Sequence, residues 1–239
     1  MIYNFIYAST LAYLKSTGTV VVMGSRTYGQ FCGLARAAEL LDQRWTLLVL
    51  RDLLVGPRRY TDLAAGLPGI PSNVLSMRLK ELEQHGLVRR EARSGADRSV
   101  VYRLGPRGEA LQPALDALAR WGAADMRTPR EGEIVTEAAL VGALRAGIRP
   151  DSDRRRSGRT YQVTVAGVSV QVTADAAGVR IAPGPHPDPD LVIVAGPGLR
   201  DVLAGAVDPD RAVAEGIVEL TGDESAFADF VATFHVPYA

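Results

Sequence analysis

Apolar residues recur at helical spacing in two early runs, Leu34, Ala37, Ala38 and Leu41, then Trp45, Leu48, Val49 and Leu53, with Asp42-Gln43-Arg44 between them. The pattern predicts two helices within residues 32–55, the second stopped at Gly56-Pro57 because proline cannot continue a helix. Leu63, Ala64 and Leu67 give one face to a third helix over 60–67, with Arg59 or Thr61 near its cap. After the turn Pro68-Gly69-Ile70-Pro71, Leu75, Leu79 and Leu82 form the buried stripe of a fourth helix. Ser72 is placed to cap that helix through its hydroxyl, and Gly86 to close it. Opposite the leucines lie Asn73, Ser76, Met77, Lys80 and Gln84, a polar band available to a partner.

Two short helices joined by a tight turn, the second presenting an open polar face, predict a helix-turn-helix. The segments 87–93 and 99–104 flank the polar tip Ser94-Gly95-Ala96-Asp97-Arg98 and predict a β-hairpin, which makes the unit a winged helix. Asn73 and Ser76 sit where a major-groove helix meets base edges, with Ser72, Met77 and Thr61 beside them. Arg58, Arg59, Lys80, Arg93 and Arg98 supply cations suited to phosphates. Pro106 opens a last helix whose stripe of Leu111, Leu115, Leu118 and Trp121 is too large for the small upstream domain to cover, so a second copy of the chain is expected to cover it.

Beyond residue 130 the period changes. Tyr161, Val163 and Val165, then Val168, Val170 and Val172, alternate about Ala166-Gly167 as a hairpin does. Val179 and Ile181, then 191–194, continue the strands, and helices at 199–207 and about 210–215, a strand at 217–220 and a helix at 225–234 complete an α+β layer. The expected division is an atypical extension at 1–22, a winged helix-turn-helix domain for DNA binding and dimerisation at 23–130, and an α+β domain at 131–239.

A chain of 239 residues, 47% hydrophobic, can bury two such cores. Its zero net charge hides an asymmetry: residues 23–130 carry 17 Arg and Lys against 11 Asp and Glu, net +6, whereas residues 131–239 carry 9 Arg against 16 acids, net −7. The first part attracts a polyanion and the second repels one. A single cysteine, Cys32, excludes a disulfide framework, and His85, His186 and His235 lie too far apart to suggest a metal site. Without a P-loop or a GxSxG motif, no enzyme, metal or cofactor is expected. Residues 1–22 hold three of the eight tyrosines and no arginine; the apolar stretch 2–14 is too short to span a bilayer and has no basic segment before it, so either a start at Met23 or a mobile extension that contributes little to the fold is expected, with no membrane partner.

The run from Cys32-Gly33-Leu34-Ala35-Arg36-Ala37 through Arg44-Trp45-Thr46-Leu47-Leu48 to Gly56-Pro57-Arg58-Arg59-Tyr60-Thr61-Asp62-Leu63 resembles the HxlR-type winged-helix regulators of bacteria. Leu67-Pro68-Gly69-Ile70, Leu75-Ser76-Met77-Arg78-Leu79-Lys80-Glu81-Leu82, Gly86-Leu87-Val88 and Ala119-Arg120-Trp121-Gly122 continue the likeness in order and at matching spacing. The resemblance implies a bacterial cytoplasmic homodimer joined through its first and last helices, with Leu34, Ala38, Leu111, Leu115, Leu118 and Trp121 at the joint. It also implies binding to pseudo-palindromic double-stranded operators. No segment of the sequence looks suited to contacting a polymerase, so repression rather than activation is expected. Relatives commonly have Cys-Pro at Cys32-Gly33 and Thr-Pro at Gly105-Pro106. A cysteine in the first of these places makes Cys32 a candidate electrophile sensor, beside the plainer reading of a small buried residue. The second half resembles a sterol-carrier-like (SCP2-type) domain, which implies a small apolar ligand as modulator, unless Phe227, Phe230 and Phe234 simply fill the core. The rival reading is a lipid or small-molecule carrier that uses its winged helix as an interaction module.

Overall fold

The computed structural model describes residues 27–92, 99–126, 128–150 and 158–237. The chain forms two compact units, which divide between Gln43 and Arg44. In the first, helix α1 (Gly33–Leu41) starts after Cys32, whose backbone is extended. The segment ahead of α1 is tied to it: Thr27 Oγ1 and the Tyr28 N–H both donate to Glu39, and the Tyr28 hydroxyl donates to Asp42 at 2.9 Å.

The second unit begins with Arg44 and Trp45, the latter in left-handed backbone at φ 79° with its ring covered by the Arg44 guanidinium at 5.3 Å. Trp45 therefore precedes helix α2 (Thr46–Leu54) rather than lying within it as the periodicity suggested. Helix α3 (Tyr60–Gly66) begins after Arg59, and the Asp62 carboxylate accepts from the Arg59 N–H at 3.0 Å. A type II turn follows, with Pro68 and then Gly69 at φ 81° closing the Ile70 N–H onto the Leu67 carbonyl at 3.1 Å. Helix α4 (Ser72–Gln84) buries Leu75, Leu79 and Leu82 as expected. Its N-cap is Pro71, so Ser72 is the first helical residue and not the cap: proline fixes the extended backbone that the cap position needs. The helix ends in a Schellman pair, Leu87 N–H to Leu82 C=O and Gly86 N–H to Glu83 C=O.

Strands β2 (Val88–Ala92) and β3 (Val100–Leu104) pair antiparallel, Val88 opposite Leu104. The tip between them, with Arg93 and Arg98, lies outside the described residues. A third strand unseen in the sequence, β1 (Arg58–Arg59), joins the other side of β3, giving the order β1-β3-β2. Two residues are too few for any periodicity to reveal.

The long helix expected from Pro106 is two, α5 (Pro106–Glu109) and α6 (Gln112–Ala123). Pro113 is the reason: it has no N–H for the carbonyl four residues back, and its ring crowds that carbonyl. At Gly105 an added Cβ would lie 2.9 Å from the Gly86 carbonyl oxygen, a backbone atom, so this close approach favours glycine.

The α+β part has a five-stranded sheet in the order β6-β5-β4-β7-β8, made of β4 (Arg159–Val165), β5 (Val168–Asp175), β6 (Gly178–Pro183), β7 (Leu191–Ala195) and β8 (Val218–Gly222). Its neighbours run antiparallel except β4 and β7, which are parallel. The expected hairpin is present with its turn at Ala166-Gly167, both at positive φ. Helix α8 (Leu199–Leu203) is shorter than its sequence pattern, with Gly205 at φ 76° just past its end, and α9 (Pro209–Ala214) is capped by the Asp208 carboxylate. Tyr161, Val163, Val172, Leu191 and Ile193 share one buried core with the phenylalanines of α10 (Ala226–Thr233). Phe230, with no exposed surface, packs its ring 5.3 Å from Tyr161 and 4.8 Å from Phe234. The phenylalanines are core.

One helix was not anticipated. α7 (Glu137–Gly147) is capped by Thr136, whose Oγ1 accepts from the Ala139 N–H, and it puts Leu140, Val141 and Leu144 into the sheet core. The spacing 140, 141, 144 behind a threonine cap and a first-turn glutamate was its signal. α7 packs against α2, α6 and the β5–β6 edge of the sheet, so the winged helix and the α+β part are in contact.

Candidate nucleic-acid interface

α4 is amphipathic across its axis: the leucine stripe is buried, and Ser72, Asn73, Ser76, Met77 and Lys80 are all exposed on the other side. Its first turn is held by α3, because the Tyr60 hydroxyl donates to the Ser72 carbonyl at 2.8 Å and accepts from Ser76 Oγ at 3.4 Å. Thr61 and Arg59, both exposed, flank Tyr60 at the start of α3. The fold thus gathers Arg59, Thr61, Ser72, Asn73 and Ser76 around one helix N-terminus, and Lys80 follows along α4. Tyr60, which orders this arrangement, carries no signal in the sequence beyond its place ahead of the first polar face, and pattern alone did not single it out.

Arg58 is placed differently. Its Nη2 lies 2.8 Å from Glu137 Oε2 of α7, and both side chains are partly covered. Strand geometry explains the split between the two arginines: successive residues of β1 point to opposite faces, so Arg59 is turned outward where Arg58 is engaged. Nearby, Asp52 is buried, with its carboxylate 2.7 Å from Arg51 Nη2. Burial pushes the Asp52 carboxyl above the usual carboxylate range, against the downward pull of the Arg51 and Arg58 guanidiniums. Asp52, Arg58, Asp62, Thr136 and Glu137 line a cleft of about 300 Å³. In α4, Arg78 is also buried and pairs with Glu81 at 2.6 Å, so it supports the helix from behind and does not face a partner. Arg89, Arg90 and Arg103 are exposed on β2 and β3, cations that no motif singles out.

The residues expected at a dimer joint divide. Leu111 and Leu115 are half-buried within the chain, while Leu118 is 50% and Trp121 76% exposed on α6. On α1, Leu34 is exposed and Ala38 half-buried. Cys32 is exposed and forms no disulfide, so it is not the small buried residue of the plainer reading. Among the described residues no group of three or more His, Cys, Asp or Glu could hold a metal ion, and no helix is long and apolar enough to cross a membrane.

The profile of the HxlR-like helix-turn-helix family matches residues 40–129. The HTH-type transcriptional regulator sll1512 of Synechocystis sp. is 38% identical over 94 residues, which cover 39% of this chain and 70% of the relative. YvaP of Bacillus subtilis, also an HTH-type transcriptional regulator, is 37% identical over 86 residues, 36% of this chain and 80% of the relative. The solved reduced form of the B. subtilis transcriptional regulator YodB aligns at 30% identity and a TM-score of 0.37 over 42% of this chain and all of that one. The two sequence relatives are transcriptional regulators and not enzymes, and the family profile covers the stretch that here builds helices α2 to α6 and the three-stranded sheet. On that likeness, the chain belongs to the HxlR-like helix-turn-helix family of transcriptional regulators.

Proposed function

We propose that the chain is a homodimeric repressor that reads a pseudo-palindromic operator with α4. The observation that carries this reading is the exposed polar band of α4, with its first turn pinned by Tyr60 and the three leucines buried behind it. Asn73 and Ser76, at the N-terminal end of that band, are assigned to base edges, where asparagine pairs bidentately with adenine; Ser72, Met77 and Thr61 border them. Arg59, Lys80, Arg93 and Arg98 are assigned to phosphates. Arg58, engaged with Glu137, is left out of that set in the free protein. Two copies would meet through Leu34 and Ala38 of α1 and through Leu118 and Trp121 of α6, with the half-buried Leu111 and Leu115 continuing the same stripe. The sterol-carrier-like likeness is kept for the topology of the α+β part; the packed phenylalanines speak against an apolar ligand there.

The test separates reading from anchoring, on a duplex selected in vitro by the wild-type protein and on a random duplex. Asn73→Ala is expected to cost about 1–3 kcal/mol on the selected duplex and almost nothing on the random one. Lys80→Ala is expected to weaken both and to shallow the salt slope by about one unit for each phosphate no longer neutralised. An Asn73→Ala variant with unchanged melting that weakens equally on both duplexes would mean that α4 does not present this band to the bases.

A further inference from the structure

We infer that α7 is a strut that fixes the operator-reading helix relative to α6 and thereby makes the α+β domain a working part of operator recognition. The inference rests on the reading that α4 meets DNA and α6 meets a second copy. At 11 residues, α7 is about 16 Å long, and each of its ends is fastened to a different part of the winged helix.

At the N-terminal end, Glu137 holds Arg58 at 2.8 Å. Arg58 is two residues from Tyr60, whose hydroxyl bridges Ser72 and Ser76 in the first turn of α4. A shift of Glu137 is therefore passed through β1 to the turn that carries Asn73. At the C-terminal end, Arg145 embraces Asp116 of α6, Nε reaching Oδ1 at 2.9 Å and Oδ2 at 3.2 Å while Nη2 lies 2.8 Å from Oδ1. Their side chains are only 17% and 13% exposed, so this charged pair is held in one geometry where a surface pair would be loose and screened. Beside it, arginines from neighbouring helices meet both C-termini: Arg120 of α6 donates to the Ala146 carbonyl of α7 at 3.1 Å, and Arg200 of α8 donates to the Ala123 carbonyl that ends α6. Between the two fastenings Gly142 sits against Arg51 of α2, where an added Cβ would touch the arginine stem at 3.8 Å.

The other side of α7 belongs to the α+β core through Leu140, Val141 and Leu144. The helix is thus shared, and displacing the sheet moves both fastenings together. Packed elements with discrete arrangements transmit such displacements in steps rather than by continuous bending. The strut makes specific binding, which needs two correctly spaced reading helices, depend on the α+β domain. Nonspecific attraction to phosphates needs only charge.

The experiment uses the full chain, a duplex selected in vitro by the wild-type protein, and a random duplex of equal length. Arg145→Asp and Asp116→Arg are each expected to lower affinity for the selected duplex by on the order of tenfold, to leave the random duplex within about twofold, and to recover most of the loss when combined in one chain. Glu137→Gln, a milder change at the other end, is expected to act in the same direction and decides the matter if the Arg145 variants fold poorly. Wild-type affinity for the selected duplex in all these variants overturns the inference, as does an equal loss on both duplexes that the swapped pair does not recover. A wild-type protein that binds selected and random duplexes equally overturns the operator reading itself, and is distinguished from the first two results by needing no variant.

Discussion

Phe230→Ala decides whether the α+β domain is a packed body or a container. The ring has no exposed surface and lies 4.8 Å from Phe234, 5.3 Å from Tyr161 and 6.5 Å from Phe227. Truncating a buried phenylalanine to alanine costs about 3–5 kcal/mol, and close aromatic neighbours add about 0.5–1.5 kcal/mol for a pair, so this site belongs at the upper end, about 4–5 kcal/mol. Against a total stability of about 5–15 kcal/mol that is a severe loss. For a body of this size it lowers Tm by about 10–20 °C. Scanning calorimetry measures the shift, with urea unfolding as a second route to the free energy. A loss below about 1 kcal/mol would refute the packing argument, since it would mean that the ring already borders open space. Stoichiometric uptake of a fluorescent fatty acyl probe by the wild-type protein would then restore the carrier reading.

If two copies pair as proposed, Trp121→Asp is expected to leave a monomer in sedimentation equilibrium where the wild type is dimeric, with Tm little changed, because the side chain is 76% exposed in the single chain and a carboxylate would enter the apolar joint only on association; a variant that still sediments as a dimer places the joint elsewhere. Asp52→Asn probes the buried carboxyl, whose raised pKa means that the native state holds a proton the unfolded chain releases first, so that stability from this group falls as pH rises from the unfolded value through the folded one. The Tm of Asp52→Asn minus that of the wild type is therefore expected to grow as pH rises above the ordinary aspartate range, and a difference that shrinks would show that the Arg51 pair outweighs burial.

The winged helix was legible because its information is local. Leucines at positions 75, 79 and 82, the turn Pro68-Gly69 and the closing Gly86 each fix a neighbouring stretch of backbone by sterics or burial, and each falls where its pattern put it. The α4 band was legible for the same reason, since helical period alone separates Asn73 and Lys80 from the leucines. The misreadings also have local physical causes. Pro113 split a stripe that looked continuous, Pro71 took the cap position from Ser72, and the left-handed backbone at Trp45 kept that ring outside a helix whose spacing it matched. Strand β1 owes its existence to β3, distant in the chain, and no property of Arg58-Arg59 by itself predicts it.

What sequence could not show is the joint between the two halves, and this changes how the charges are to be read. The net +6 of residues 23–130 and net −7 of residues 131–239 suggest two bodies of opposite sign, one for DNA and one turned away from it. In the fold, part of that opposition is internal: Arg58 of the basic half is joined to Glu137 of the acidic half, and Asp116 of the basic half is joined to Arg145 of the acidic one. The second pair runs against the net sign of both halves, so bulk attraction between them does not account for it. It is positional, placed where α6 and α7 meet. An ion pair that opposes the regional charge and is mostly shielded from water is strong in fixing geometry and weak in steering. The cations exposed on β1, α4 and the wing strands, Arg59, Lys80, Arg89 and Arg90 among them, set the field that DNA meets. Salt dependence should accordingly follow those residues, while the Asp116–Arg145 pair should affect which duplex is preferred at any salt concentration.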